Sequence, residues 1–204
     1  MIKRLLILMA LTFSALSVNA QVIKASFGIK GAGVGTMVST TKDQTFSASV
    51  GGGGGAFFGL KLANFLGVQA EAIYAQQTIN YNFEDYTDLS TYNGLQTYLL
   101  VPAVAQLWLG RSVALEVGIQ KAIGKEETLH TQGNIPEEAV GLQDYDSYIA
   151  GINFNLGKVG VLDFRYLRGI PGTFSKGEIK DSITHGVQVS LGFRLFSSKK
   201  HLFK

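Results

Sequence analysis

The sequence predicts an all-β fold, an eight-stranded antiparallel up-and-down transmembrane β-barrel. Three observations predict it: apolar and polar residues alternate in eight segments, no helical period persists over three turns after residue 20, and the connections alternate between long and short. The composition agrees, because 25 glycines and 13 phenylalanines with only three prolines suit neither a disordered chain nor a helical bundle.

The first twenty residues predict a cleavable signal peptide. Lys3 and Arg4 precede an apolar run from Leu5 to Leu16, and small residues lead to Ala20. The run has roughly 12 residues, whereas a membrane-spanning helix needs about 20. We therefore expect residues 1–20 to be removed and the mature chain to be exported in a Gram-negative cell.

Charge and cysteine content exclude two classes of function. Lys3 and Arg4 are two of the 18 basic residues, so the mature chain has 16 against 15 acidic ones, and a nucleic-acid-binding surface is not indicated. The chain has no cysteine, which excludes disulfides and a lipidated N-terminal cysteine. The protein must be held together by sheet closure and packing.

The segment 187–196 shows the alternation most clearly. One face has Val187, Val189, Leu191, Phe193 and Leu195, and the other has Gln188, Ser190, Gly192 and Arg194. Seven further segments can be phased in the same way: 26–37, 56–62, 68–77, 95–109, 112–120, 147–156 and 160–166. A few apolar residues fall on the polar face and are interpreted as bulk inside a small barrel: Ile73, Leu100, Ile149, Val161 and Leu167.

The connections alternate strictly in length along the chain. The long ones are 39–50, 80–94, 124–145 and 169–183, and the short ones are 63–66, 110–111 and 157–158. This order is typical of a membrane barrel with its loops outside the cell and its turns in the periplasm, which also places both termini in the periplasm. We expect one barrel domain over residues 21–196, followed by a short basic tail over residues 197–204.

The composition of the two faces indicates which one points inward. The polar face is rich in Gly, Ala, Ser, Gln and Asn, which suits a tight interior better than the exterior of a soluble, lipocalin-like barrel, the main structural alternative. The apolar face would be far too large a patch for a soluble monomer but is the surface that lipid requires. Aromatic residues near the strand ends are expected to form interfacial girdles: Phe27, Tyr74, Trp108, Tyr148 and Phe196.

Seven charged residues on the polar face predict a structural charge network inside the barrel. They are Lys30, Lys61, Glu71, Glu116, Asp163, Arg165 and Arg194. An interior of this width is filled by side chains, so these charges are expected to neutralise one another there.

Four stretches carry a resemblance to a known family: QAEAIYAQQ (69–77), TYLLVPAVAQLW (97–108), VALEVGIQKA (113–122) and VSLGFRLF (189–196). In this order and spacing the mature chain resembles the PorT-like outer-membrane β-barrel family. The resemblance implies insertion in the outer membrane but no single activity. It also implies that Pro102, unusual in a strand, is tolerated there. Either Phe196 or Phe203 is expected to serve as the aromatic signal for barrel assembly.

No catalytic, cofactor or metal motif is evident. His130, His185 and His201 are isolated, in a loop, a strand start and the tail. Ser182 and His185 could suggest a lipid hydrolase, but only Asp181 offers a carboxylate partner. The run 51–55 is interpreted as a flexible glycine loop rather than a phosphate-binding loop. Acidic residues in the second and third long loops could bind divalent cations that bridge lipopolysaccharide phosphates.

The sequence therefore favours a small, non-enzymatic outer-membrane barrel that is structural or binds a partner or surface through its long loops. The alternatives are a narrow channel, an accessory role in protein secretion and, less favoured, a membrane-embedded lipid hydrolase. The expected contacts are outer-membrane lipid and lipopolysaccharide, the barrel assembly machinery and a further protein partner, with no cofactor and no nucleic acid. The protein is expected to be a monomer.

Overall fold

The computed structural model describes residues 22–39, 47–62, 65–83, 90–131, 145–170 and 183–201. Eight antiparallel strands form one closed barrel in chain order, and the last strand pairs with the first. The strands are β1 (Val22–Ser39), β2 (Ser47–Leu62), β3 (Leu66–Phe83), β4 (Ser90–Trp108), β5 (Val113–Thr131), β6 (Tyr145–Leu156), β7 (Gly160–Gly169) and β8 (Ile183–His201). The predicted fold class is confirmed, while the expected signal peptide lies outside the described residues.

Short turns join β2 to β3, β4 to β5 and β6 to β7 at one end of the barrel, which we call the turn end. Gly110 (φ 95°) and Gly157 (φ 69°) lie in two of these turns, in the left-handed region that residues with a side chain rarely adopt. The four long connections leave the opposite end, the loop end, and their central residues lie outside the described ranges. Among the described residues there is no helix long and apolar enough to cross a membrane.

The two faces of the sheet are oriented as their composition predicts. In β8, Val187 and Leu191 are about half exposed on the outer wall (58% and 47%), whereas Gln188 and Ser190 are buried. The same pattern recurs in the other strands, so apolar side chains cover the outside and polar ones point inward. The lipocalin-like alternative, with the apolar face inside, is therefore wrong.

The glycine run 51–55 is not a flexible loop but part of β2, which corrects the expectation from sequence. These glycines pair with β1 on one side and β3 on the other, as in the pairing of Gly53 with Ala32 and Ala75. A Cβ atom added at Gly55 would collide with the backbone of β3 at Ala72 and Ile73. Pairing on both sides thus overrides the low strand propensity of glycine.

All eight strands extend further towards the loop end than the alternation predicts, and β2, β3, β4 and β5 do so by five residues or more. β3 continues to Phe83, β4 begins at Ser90, and β5 continues to Thr131. The predicted connections 80–94 and 124–145 are therefore shorter, because their flanks continue the sheet by pairing between β3, β4 and β5.

The predicted tail 197–204 is also corrected, because β8 continues to His201 and pairs with β1 along its whole length. A bulge interrupts this pairing: Phe27 lies opposite Phe196, and Gly28 opposite Arg194. The residue between them, Leu195, is the extra one, so Leu195 and Phe196 both face outward. The pairing of β8 with β1 therefore extends past Phe196, the residue at which the barrel was expected to end.

Trp108 is not part of an outer girdle, which corrects a further expectation. Its side chain is buried on the inner face, as strict alternation with the outward Leu107 requires. The other four aromatics named for the girdle, Phe27, Tyr74, Tyr148 and Phe196, are exposed on the outer wall.

Pro102 lies within β4 with its side chain fully buried in the barrel. Pairing between β3 and β4 runs as far as Ala70 with Ala103 and resumes at Ile73 with Leu100. Proline has no N–H to donate, so the ladder is interrupted beside it while pairing with β5 continues at Gln120.

Two neighbouring glycines of β2, Gly55 on the inner face and Gly54 on the outer face, supply a test of this packing. Gly55→Ala is expected to lower the free energy of unfolding by about 1–3 kcal/mol, because its Cβ meets the β3 backbone. Gly54→Ala is the matched control, since its Cβ would make only an ordinary contact, and it should be neutral or stabilise by up to about 1 kcal/mol. Urea unfolding followed by the fluorescence of Trp108, the only tryptophan, measures both. Equal stabilities would contradict the packing described.

Candidate functional site

The middle of the barrel contains a network of buried ion pairs centred on Arg165. Its Nη2 lies 2.6 Å from Glu71 Oε1, and its Nε lies 2.7 Å from Glu116 Oε2. Lys30 Nζ lies 2.6 Å from the same Glu71 oxygen and 2.5 Å from Asp163 Oδ2. The side chains of all five residues have no exposed surface, so the barrel interior encloses every charge of the network.

Neutral side chains add hydrogen bonds to two of these carboxylates. Gln69 Nε2 donates to Glu71 Oε1 over 2.6 Å, and Gln106 Nε2 donates to Glu116 Oε1 over 2.8 Å. The two amides also contact each other, since Gln106 Nε2 lies 3.3 Å from Gln69 Oε1. The sequence analysis did not predict these glutamines as members of the network. The only sequence feature that could have indicated them is an inward position beside a carboxylate of the same or a neighbouring strand.

Asp163 is held in a similar way by Lys30 and by two neutral donors. Asn153 Nδ2 donates to its Oδ1, and Ser190 Oγ donates to its Oδ2 over 2.9 Å. Each carboxylate of the network therefore accepts from at least one cation and one neutral group. This matters because a charge removed from water is tolerated only when it is both paired and hydrogen-bonded.

The network joins the barrel across its lumen. Lys30 lies on β1, Glu71 on β3, Glu116 on β5, and Asp163 and Arg165 on β7, so alternate strands supply the charges. Lys30 also lies over the ring of Phe57 on β2, 5.4 Å from its centroid, within the range of a cation–π contact. With two cations and three carboxylates the network has a formal charge of −1.

Apolar side chains fill the lumen between the network and the loop end. One cluster brings together residues from four strands around the wall: Val34, Val104, Ile149 and Leu167. A second one consists of Ile73, Ala75, Tyr98, Leu100, Ala122 and Tyr145. Four of the apolar residues that broke the sequence phasing thus belong to an interior core, and the fifth, Val161, is also buried. Buried apolar side chains therefore occupy the interior of the described part of the barrel at this level.

Lys61 and Arg194, the other two predicted members of the charge network, lie apart from it, near the turn end. Lys61 Nζ lies 3.8 Å above the centroid of the Trp108 ring. Arg194 Nη2 donates to Asn155 Oδ1, and Arg194 Nη1 lies 3.3 Å from the backbone oxygen of Lys158. The structure thus brings together five of the seven predicted residues and separates these two.

A cavity of about 1000 Å³ opens at the turn end, below the network. Lys61 and Arg194 line it, together with Arg111 and Lys158 from the turns. Its inner wall includes Gln69, Gln106 and Asn153, the amides that hydrogen-bond the three carboxylates.

The histidines and acidic loop residues form no site that the structure describes. His185 lies on β8 with Nδ1 2.5 Å from the Tyr166 hydroxyl, while Ser182 and Asp181 lie outside the described residues. His130 lies in β5 and His201 in β8, rather than in a loop and the tail. In the described ranges no three or more His, Asp or Glu side chains are grouped to hold a metal ion. Most acidic residues of the second and third long loops lie outside these ranges.

Removing the central cation tests the network. Arg165→Met is expected to lower the free energy of unfolding by about 3–5 kcal/mol, because Glu71 and Glu116 would each lose a buried counter-charge. Arg168→Met, on the exposed outer side of the same strand, should change it by less than about 0.5 kcal/mol. Urea unfolding of both variants in one detergent measures the difference. Similar losses in the two variants would show that the ion pairs do not stabilise the barrel.

Comparison with known proteins finds the fold but no family. No family model matches the chain, and no curated protein matches it. Among solved structures, Neisserial surface protein A aligns with a TM-score of 0.53 and 10% identity, over 84% of this chain and 99% of that one. The attachment invasion locus protein Ail of Yersinia pestis aligns with a TM-score of 0.45 and 17% identity, over 84% and 99%. The outer membrane protein OprG of Pseudomonas aeruginosa aligns with a TM-score of 0.39 and 14% identity, over 89% and 97%. The likeness to Neisserial surface protein A shows that the chain has the fold of a small outer-membrane β-barrel.

Proposed function

We propose that the protein is a small, non-enzymatic outer-membrane barrel that is structural or binds a partner or surface through its long loops. The observation that carries this proposal is the combination of an apolar outer wall with an interior filled by ion pairs and apolar side chains. The wall is suited to lipid, and the filled interior leaves the loops as the parts free to contact other molecules.

The proposed location follows from the energetics of the outer wall. Exposed apolar side chains cover β8 from Val187 to Phe196, and a surface of this extent would drive aggregation in water. We place the loop end outside the cell and the turn end, with both termini, in the periplasm. The signal peptide and the alternation of long and short connections support this orientation.

A charge placed in the middle of the outer wall tests the proposed lipid contact. Leu191→Arg, at the centre of the outward run of β8, is expected to lower the free energy of unfolding in lipid vesicles by about 2–4 kcal/mol. Met37→Arg, near the loop end, is an exposed control that should cost no more than about 1 kcal/mol, because its charge reaches the headgroups. Equal losses at the two depths would contradict a bilayer around this wall.

The filled interior favours the structural or binding role over a channel. An ion moving along the axis would have to displace the pairs of Arg165 and then pass the apolar cluster of Val34, Val104, Ile149 and Leu167. A narrow channel is the second candidate. Its support is the turn-end cavity and the buried side chains of Gln120 and Gln188, which have no hydrogen-bond partner among the described residues and would suit interior water.

Conductance in planar bilayers separates the two candidates. The wild-type barrel is expected to give no steady open-channel current at either polarity, because the interior offers no continuous aqueous path. Steady wild-type current would favour the channel and overturn the first proposal.

We further propose that the chain belongs with the PorT-like barrels. The four strand stretches at 69–77, 97–108, 113–122 and 189–196 support this assignment. An accessory role in protein secretion rests on this assignment alone. No feature of the described interior supports that role. The expected partners are outer-membrane lipid, lipopolysaccharide, the barrel assembly machinery and a protein bound by the loops.

A further inference from the structure

The turn-end cavity is lined by five basic residues. Two of its basic residues, Arg111 and Lys158, come from turns, and three, Lys24, Lys61 and Arg194, come from strands. In the part of the chain that the structure describes, no aspartate or glutamate lines this cavity. The sequence of the three turns, 63–66, 109–112 and 157–160, also contains no acidic residue. The described side chains that line the cavity therefore carry a net positive charge.

The network above the cavity does not neutralise this charge by direct contact. Its three carboxylates are absent from the cavity lining, where the amides of Gln69, Gln106 and Asn153 stand in front of them. The ion pairs of the network involve neither Lys61 nor Arg194. The charges of Lys61 and Arg194 thus remain available to a ligand.

Neutral groups hold these two cations in place. Arg194 donates to Asn155 Oδ1 and lies beside the backbone oxygen of Lys158, while Asn155 Nδ2 donates to the backbone oxygen of Arg111 over 3.0 Å. Asn155 thereby ties Arg194 to the turn that carries Arg111. Lys61 lies on the face of Trp108, at a distance typical of a cation–π contact. A ligand would meet cations that are already ordered, which lowers the entropic cost of binding.

Trp108 adds a hydrogen-bond donor to the same wall. Its indole N–H is buried and has no partner among the described residues, although buried tryptophan N–H groups usually have one. The volume of the cavity, about 1000 Å³, is at the upper end of the range for small-molecule sites. The volume of the cavity suits a small molecule. Its basic residues and the N–H group of Trp108 indicate that this ligand is an anion.

We propose that the turn-end cavity binds a phosphate-bearing anion, with Arg194 and Lys61 as its principal contacts and Arg111 and Lys158 at its rim. A phosphate suits the site because its several oxygens can accept from arginine, lysine and indole donors at once. The phosphate can belong to a free phosphorylated molecule or to a lipid headgroup at the membrane surface, and this inference does not depend on what the loops bind.

The first experiment titrates inorganic pyrophosphate into the refolded barrel in a non-ionic maltoside detergent at low salt, followed by calorimetry. We expect saturable binding to one site that weakens as salt is added. Arg194→Gln and Lys61→Gln should each raise the dissociation constant about tenfold, because each removes one charge-assisted contact. Arg111→Gln should also weaken binding. Because Arg111 lies on an exposed turn, this variant is expected to fold, and it tests the proposal even if the other two variants do not fold.

Matched controls use basic residues on the outer wall, Arg168→Gln for Arg194→Gln and Lys121→Gln for Lys61→Gln. Both should bind pyrophosphate within twofold of the wild type. A loss of affinity in the controls equal to that in the site variants would show general electrostatic attraction and overturn the proposal.

The second experiment distinguishes the source of the phosphate. The barrel is released from maltoside micelles containing either phosphatidylglycerol or a neutral galactolipid, and retained lipid is detected by native mass spectrometry. Phosphatidylglycerol held by the wild type and lost in Arg194→Gln would assign a headgroup site. Pyrophosphate binding without retained lipid would assign a free phosphorylated ligand. If the wild type binds neither, or if Arg194→Gln and Arg111→Gln bind as the wild type does, the proposal is wrong.

Discussion

The five charges of the central network cannot reach water, and this constraint organises the structure around them. Arg165 pairs with Glu71 and Glu116, and Lys30 pairs with Glu71 and Asp163, all without exposed surface. Removing an ion from water costs several kcal/mol, which pairing with opposite charges and hydrogen bonding offset. The strands must therefore bring these side chains to one level. A slip of one residue in any of them would turn its charge into the outer wall.

Around this level the inner face changes in character along the barrel axis. Towards the loop end it is apolar, with Leu167 following Arg165 along β7 and Ile73 following Glu71 along β3. Towards the turn end it is basic, with Lys61 and Arg194 beside the cavity. Amide side chains lie between the carboxylates of the network and the cavity. They separate these carboxylates from the basic residues of the cavity, so that the two groups do not pair directly. The inner face of the strands thus forms both the filled interior and the basic lining of the turn-end cavity.

Periodicity predicts much of the fold because alternation in a two-faced strand is a local property. It predicts eight strands, the inward position of every network charge and the order of the connections. It cannot predict strand ends, since the extensions of β5 and β8 depend on pairing with distant neighbours, and the glycine run in β2 is a strand only because both flanking strands pair with it. Arg194 is separated from Arg165 because the two side chains lie at different positions along the axis of the closed barrel. The alternation of polar and apolar residues does not give that position. Gln69 and Asn153 were missed because neutral amides are common on any inner face.

The pairing of β8 with β1 determines when the barrel can close. These strands pair through 18 residues of β1, and the ion pair between Arg165 and Glu71 joins residues 94 positions apart. The first contact needs the last strand of the chain, and the second needs the chain as far as residue 165. A chain that stops before residue 183 would keep all five charges of the network but leave β1 and β7 as open edges with unmatched backbone groups. The last strand alone completes the closure, and a chain interrupted before it is an open sheet prone to pair with other chains rather than a smaller barrel.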